Sequence, residues 1–197
     1  MGHFCLVPDL NLPNFREMTI TAQIEAMTEL RNTIAAPITL IGSSMGGLLA
    51  ALLAKDKIEQ VDKLILLAPG FGIKGRWREL VGEEAMKAWQ DSGFRQYYHF
   101  AADKNLDLHW GFIEDLHQYE TEHLKVEIPT LVLHGMLDET VPINNSRAFR
   151  EENKGLVDLI ELNDGHELTN SLEHMWSASV KFLDLNPKKM VPETGTI

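Results

Sequence analysis

The stretch ITLIGSSMGGLLAALLA, residues 38–54, decides the fold of this 197-residue chain. Its first five residues are apolar or β-branched, which is typical of a buried strand, and its last part is apolar and helix-forming. Serines and glycines stand between them, although neither favours strand or helix interiors. The segment GSSMG (42–46) matches G-x-S-x-G, in which a serine occupies a tight strand-to-helix turn. We predict that Gly42 and Gly46 give the clearance for the helix to pass close to the strand.

A phosphate-binding loop is the rival interpretation of this turn. That loop needs a Walker lysine or the spacing G-x-G-x-x-G, and GSSMGG has neither. A helix that begins near Met45 points its first N–H groups at Ser44 instead. The turn therefore favours Ser44 as a nucleophile.

Four further apolar runs predict strands: FCLVP (4–8), KLILLAP (63–69), TLVLHG (130–135) and VDLIEL (157–162). Most are nearly continuous, which indicates strands buried on both faces, as in a parallel sheet. Segments with helical periodicity alternate with them: one capped by Thr19 or Thr21, then Gly47–Lys55, Asn145–Glu152 and Ser171–Leu183. This order predicts an α/β fold with a doubly wound, mostly parallel sheet.

Residues 70–127 interrupt the alternation, since they contain ten aromatic residues and no convincing strand. They predict a helical insertion between two strands. Most of its rings are expected to form its own core, and several to line an apolar pocket beneath it. Residues 1–185 are then a single domain that includes the insertion, and 186–197 are a flexible C-terminal tail.

An acid and a histidine are needed to activate Ser44, in the chain order Ser, Asp, His. Asp138 follows the buried strand 130–135, and His166 follows the strand 157–162. The carboxyl ends of parallel strands are where α/β sites assemble. Asp138 would orient His166, His166 would take the Ser44 proton, and the Met45 N–H would stabilise the oxyanion. The alternatives are Glu139 and Asp164 as the acid, while His134 is expected to shape the acid loop.

Composition limits the partners and the compartment. The net charge of −11 argues against nucleic acid and anionic membranes, both of which bind basic surfaces. There is no membrane-span-length apolar run and no signal peptide, so we expect a cytoplasmic protein. The single cysteine, Cys5, lies in a strand-like run and is expected to be buried and inert. No metal or cofactor is expected, and the sequence does not indicate an oligomeric state.

These motifs resemble the α/β-hydrolases, and more narrowly the small bacterial YqiA/YcfP-type (UPF0227) esterases, cyanobacterial members in particular. The resemblance spans LVPDLNLP, ITLIGSSMGG, LLAPGF, VLHGMLDETVP and DGHEL. It implies an α/β-hydrolase fold, in which the predicted 70–127 insertion would be a helical lid. It also implies hydrolysis of carboxylic esters without a cofactor, with Ser44, Asp138 and His166 as the triad. The substrate that we expect is a small acyl ester or thioester.

The start of the chain departs from that pattern. Members of the group open with a strand that ends in His-Gly, whose loop supplies a second oxyanion donor, whereas the only His-Gly here is His134-Gly135. We therefore expect a chain shortened at its N-terminus, with a weakened esterase activity. The missing strand would leave a gap between 4–8 and 38–42, and three outcomes are open: 4–8 moves in beside 38–42, a partner chain fills the gap, or the gap remains. The alternative function is a hydrolase-fold protein that binds a small apolar ligand or a partner without turnover.

Overall fold

The computed structural model describes residues 4–55 and 60–185. Its helices are Ile20–Asn32 (α1), Met45–Lys55 (α2), Ile73–Val81 (α3), Glu83–Ser92 (α4), Gly111–Leu116 (α5), Ile143–Glu152 (α6) and Leu172–Phe182 (α7). Its strands are Ile38–Ser43 (β1), Val61–Leu67 (β2), Phe94–His99 (β3), Lys104–His109 (β4), Thr130–Gly135 (β5) and Val157–Leu162 (β6). The expected tail, 186–197, lies outside the described residues.

Strands β1, β2, β5 and β6 form one parallel sheet in that spatial order. All six residues of β5 are buried, because helices cover both faces of the sheet. One face packs on α2, Ile20 of α1 and Phe149 of α6, and the other on the Met175 and Phe182 side of α7. The prediction of a mostly parallel α/β sheet is confirmed.

Helix α1 begins as its sequence predicts. The Thr19 side chain accepts a hydrogen bond from the Ala22 N–H at 3.1 Å, and it caps the helix in preference to Thr21. The Thr21 hydroxyl instead donates to the Asp115 carboxylate at 2.6 Å, and the Thr21 N–H donates to the same carboxylate. Thr21 therefore joins α1 to α5 of the 70–127 segment.

The predicted strand at 4–8 is wrong. Among the described residues this segment has no strand assignment, and Phe4 and Val7 are 88% and 90% exposed. A strand needs a hydrogen-bonded neighbour, and β1 pairs with β2 alone in the described sheet. Cys5, expected to be buried, is consequently exposed. None of the described strands pairs with the outer edge of β1, and Ile41 on β1 is 61% exposed.

The 70–127 segment is not wholly helical, which corrects the prediction of a helical insertion. Strands β3 and β4 form an antiparallel hairpin whose register runs from Phe94 opposite His109 to His99 opposite Lys104. The Trp89 indole N–H donates to the Leu108 carbonyl at 3.0 Å and ties α4 to β4. Trp89 also packs against Trp77, Tyr97 and Trp110, so these rings form the core of the segment.

Candidate active site

Ser44 lies on the turn between β1 and α2, in a backbone conformation that few residues other than glycine adopt. Its φ is +51°, in the left-handed region. The Ser44 N–H donates to the Leu67 carbonyl at 2.9 Å, and the Ser44 carbonyl accepts from the Gly70 N–H at 2.8 Å. These bonds to the end of β2 and its following loop hold the strained turn in place.

The two glycines of the G-x-S-x-G segment are not equivalent. A Cβ on Gly42 would lie 2.2 Å from the Gly46 carbonyl oxygen, so the close approach of α2 to β1 requires glycine there. A Cβ on Gly46 would meet no atom within 4 Å. The clearance predicted for Gly46 is supplied by Gly47 instead, where a Cβ would lie 2.9 Å from the Pro69 Cβ.

Asp138 follows β5 and its carboxylate accepts four hydrogen bonds. Oδ1 accepts from the backbone N–H groups of Thr140 and Val141, at 2.9 and 2.8 Å. Oδ2 lies 2.7 Å from His166 Nδ1 and 3.1 Å from His134 Nε2. Burial alone would raise the pKa of Asp138, but these donors outweigh it and hold the pKa far below its ordinary value. The side chain is therefore a carboxylate anion.

His166 connects Asp138 to Ser44. Its Nδ1 contacts Asp138 Oδ2, and its Nε2 lies 2.9 Å from Ser44 Oγ. The hydrogen bond to Asp138 raises the pKa of His166, and partial burial of the ring opposes that rise. The structure thus brings together the three residues that the sequence singled out, with the contacts that the sequence predicted.

Asp164, an alternative acid, has a different role. Its carboxylate accepts from the Gly165 and Asn170 N–H groups, at 2.8 and 2.9 Å, so it closes the loop that carries His166. The backbone carbonyl of Asp164 accepts from the Leu137 N–H at 3.0 Å. A Cβ on Gly135 would lie 2.3 Å from that carbonyl oxygen, so only glycine lets the acid loop pack against the histidine loop.

His134 contacts the candidate acid directly, which sequence reasoning missed when it gave this residue only a part in shaping the loop. The ring is fully buried, and its Nδ1 lies 2.7 Å from Ser146 Oγ on α6. Its Nε2 lies between Asp138 Oδ2 and the Val141 carbonyl. The four-residue spacing in HGMLD was the available signal, because a short turn after β5 brings both side chains together.

The acid loop is also held from the 70–127 segment. The Arg76 guanidinium on α3 donates to the backbone carbonyls of Glu139 and Thr140, at 2.7 and 2.9 Å. The Asn145 amide on α6 donates to the Phe71 carbonyl at 2.6 Å. Glu139, the other alternative acid, therefore accepts the Arg76 hydrogen bond through its backbone carbonyl.

Met45 is the first residue of α2, so its N–H belongs to those at a helix start that lack an intrahelical acceptor.

Within residues 4–55 and 60–185, no group of His, Cys, Asp and Glu side chains could hold a metal ion, and no helix is long and apolar enough to span a membrane. A cavity of about 330 Å³ lies beside α3 and α6, with Arg76, Glu79, Glu122 and His123 in its wall. The triad residues do not line it.

Comparison with known sequences identifies one family. The profile of the family described as "Uncharacterised protein family (UPF0227)" matches residues 2–183. A search of curated protein sequences found no significant match.

Solved structures share the fold at low sequence identity. Mouse alpha/beta hydrolase domain-containing protein 10 is 22% identical with a TM-score of 0.68, and the match covers 84% of this chain and 70% of the mouse chain. Est1E from Butyrivibrio proteoclasticus is 24% identical with a TM-score of 0.67, over 84% and 69% of the two chains. A further Est1E structure holds ferulic acid. These likenesses establish an α/β-hydrolase fold.

Proposed function

The chain belongs to the UPF0227 family, and we propose that it is a serine hydrolase that cleaves small carboxylic esters or thioesters. One observation carries the proposal: Ser44 Oγ, the His166 imidazole and the Asp138 carboxylate are in continuous hydrogen-bond contact, at 2.9 and 2.7 Å. A hydroxyl, an imidazole and a buried carboxylate in this arrangement activate a serine for attack on a carbonyl.

The reaction follows from which atoms carry protons. His166 Nε2 accepts the Ser44 proton while Oγ attacks the carbonyl carbon, and Asp138 stabilises the imidazolium that forms. The tetrahedral oxyanion accepts a hydrogen bond from the Met45 N–H. His166 then returns the proton to the leaving alkoxide or thiolate, and an acyl-Ser44 ester remains. Water, deprotonated by His166, releases the carboxylic acid and restores Ser44.

The 70–127 segment is proposed as a lid that binds the acyl group. Two attachments hold the segment beside the candidate triad: Arg76 bonds the acid loop, and Asn145 bonds the loop that begins the segment. The segment is therefore coupled to the backbone that presents Asp138. We expect substitutions in the segment to change the preferred acyl chain more than they change the reaction of Ser44 with a small reagent.

A fluorophosphonate probe tests the nucleophile directly. Wild-type protein should be labelled at Ser44, and Ser44→Ala should not be labelled. Ser43→Ala is the matched control, because Ser43 is an exposed serine at the neighbouring position and should leave labelling intact. A folded wild-type protein that the probe does not label would overturn the proposal and favour ligand binding without turnover.

Hydrolysis measurements define the acyl group. The test substrates are p-nitrophenyl esters of increasing acyl chain length, an acyl thioester and a feruloyl ester. The feruloyl ester is included because one Est1E structure holds ferulic acid. Ser44→Ala should lower kcat by about 10⁴-fold or more, since removing one triad member removes most of the acceleration. Equal rates for the wild type and Ser44→Ala on every ester would contradict a serine mechanism.

A further inference from the structure

Asp138 contacts two hydroxyl–imidazole pairs, one on each side. The outer pair is Ser44 and His166. The inner pair is Ser146 and His134, in which Ser146 Oγ lies 2.7 Å from His134 Nδ1 and His134 Nε2 lies 3.1 Å from Asp138 Oδ2. Both imidazoles contact the same carboxylate oxygen. The proposed reaction uses only the outer pair, which leaves the inner pair unexplained.

The contacts of the inner pair fix where its protons lie. His134 Nε2 faces two acceptors, Asp138 Oδ2 and the Val141 carbonyl at 2.9 Å, so Nε2 carries a hydrogen that both oxygens share. His134 Nδ1 then accepts from the Ser146 hydroxyl. Both residues have 0% exposure, so this arrangement is shielded from solvent. In this arrangement His134 donates to Asp138 through Nε2.

Other charged groups also lie near the two imidazoles. His134 on β5 is in register with Glu161 on β6, whose carboxylate forms a two-point ion pair with Arg147 of α6. His166 is next to Glu167, whose charge adds to the effect of Asp138 on the His166 pKa. Asp138 is the charge that both imidazoles touch, so a change at one imidazole reaches the other through it.

We propose that His134, supported by Ser146, is a positioning residue that takes a share of the Asp138 Oδ2 charge and so limits how strongly Asp138 polarises His166. The role rests on the proposed function, because it matters where His166 is the general base. Oδ1 is fixed by two backbone N–H groups, whereas the donors to Oδ2 among the described residues are the two imidazoles. The balance of charge on Oδ2 is therefore set by the two histidines.

Removal of the inner donor has a predictable direction. Asp138 Oδ2 would keep more negative charge, and its hydrogen bond to His166 would strengthen. His166 would hold its proton to higher pH, because a stronger acceptor favours the imidazolium. A protonated His166 cannot accept the Ser44 proton, so the acidic limb of the pH profile would move to higher pH.

Variants at position 134 separate the effect of the hydrogen-bond donor to Asp138 from the effect of packing. His134→Gln places an amide N–H near the position of Nε2 and keeps a donor to Asp138. His134→Asn is shorter, so it reaches Ser146 and loses the donor to Asp138. The double variant His134→Leu with Ser146→Ala removes both polar groups together, which avoids an orphaned hydroxyl and protects folding.

NMR titration of the His166 ring measures the effect without any substrate. We expect the His166 midpoint to rise by about half a pH unit or more in His134→Asn and in the double variant, and to stay near wild type in His134→Gln. The acidic limb of kcat/KM should move by the same amount. His123, which is paired with Glu152 on an exposed surface, is the internal control and should not shift.

The outcomes distinguish this inference from the proposed function. An unchanged or lowered His166 midpoint in the folded His134→Asn and double variants would overturn the inference, as would an equal rise in His134→Gln. If the wild-type protein hydrolyses no ester, but the His166 midpoint still rises in the His134→Asn and double variants, the proposed function is overturned and the coupling of the two imidazoles stands.

Discussion

The outer and inner pairs place the same kinds of groups against Asp138, but they come from different parts of the chain. Ser44 and His166 are 122 residues apart, and His166 is 28 residues from Asp138. His134 and Asp138 are four residues apart, and Ser146 is 12 residues from His134. The outer pair therefore requires the ends of three strands to meet, whereas the inner pair needs one strand, its loop and the next helix.

Exposure and proton positions also differ. The outer imidazole contacts Asp138 through Nδ1 and its serine through Nε2, and the inner imidazole does the reverse. The His166 side chain is 17% exposed, while both groups of the inner pair are fully buried. Similar groups thus have distinct consequences: a partly exposed base can exchange protons with a substrate, and a buried donor can only support its neighbour.

Asp138→Asn should have a large effect, comparable to that of Ser44→Ala, because it disrupts both pairs. An amide NH₂ in place of Oδ2 would face two imidazole N–H groups, so His166 must adopt the tautomer that cannot accept the Ser44 proton. We expect kcat to fall by about 10⁴-fold. Steady-state hydrolysis and fluorophosphonate labelling rates measure the loss. A decrease of less than about tenfold would mean that Asp138 does not orient His166.

Gly135→Ala should damage the outer pair through the contact between its two loops. The added Cβ would lie 2.3 Å from the Asp164 carbonyl oxygen and 2.4 Å from that of Gly165. We expect the free energy of unfolding to fall by about 3 kcal/mol, because the backbone must shift. Gly165→Ala is the matched control, since its Cβ would meet nothing within 4 Å. Urea unfolding of both variants checks this prediction, and equal stability would contradict it.

The pH dependence of activity should report the titration of His166, the outer imidazole. Asp138, whose pKa is strongly lowered, stays ionised across the working range. The pKa of His166 lies above the ordinary 6.5, raised by Asp138, and the base must be neutral. The ester-hydrolysis kcat/KM of the wild type should therefore rise with pH through a midpoint above 6.5. A midpoint below that value would show that Asp138 does not stabilise the imidazolium in solution.

Ser146→Ala should have the smallest effect and is the inner counterpart of Ser44→Ala. Its main consequence is an unsatisfied buried Nδ1 on His134, and we expect a loss of about 1–2 kcal/mol in the free energy of unfolding. The kcat/KM should change by about two- to threefold, because the donor to Asp138 remains. Thermal unfolding and ester hydrolysis measure the two effects. A loss in kcat/KM as large as that of Ser44→Ala would contradict the distinction between the pairs.

The sequence predicted the parts of the molecule that depend on buried strands. The stretch 130–135 was predicted with the bounds of β5, and β1, β2 and β6 were located to within two residues at either end. Continuous apolar runs reveal such strands because both of their faces are covered. The side chains just past three of these strands were then candidates for one site, and Ser44, Asp138 and His166 do meet there.

The parts that the sequence missed depend on pairing rather than on burial. Residues 4–8 have the composition of a strand, but a strand forms only with a neighbour, and composition does not report one. The β3–β4 hairpin is rich in aromatic and polar residues on a half-exposed surface, so its signal resembled that of a helical core. The contact of His134 with Asp138 was missed because a buried histidine in a strand is compatible with packing alone.

The positive φ of Ser44 has a consequence for how this family can change over time. Glycine adopts that conformation without the steric cost that any side chain incurs there, so Ser44→Gly should give a more stable protein than Ser44→Ala. Selection for stability alone would favour glycine at this position. A lineage that keeps serine therefore gives up stability at the turn, and a serine retained there would record continuing selection for its hydroxyl group.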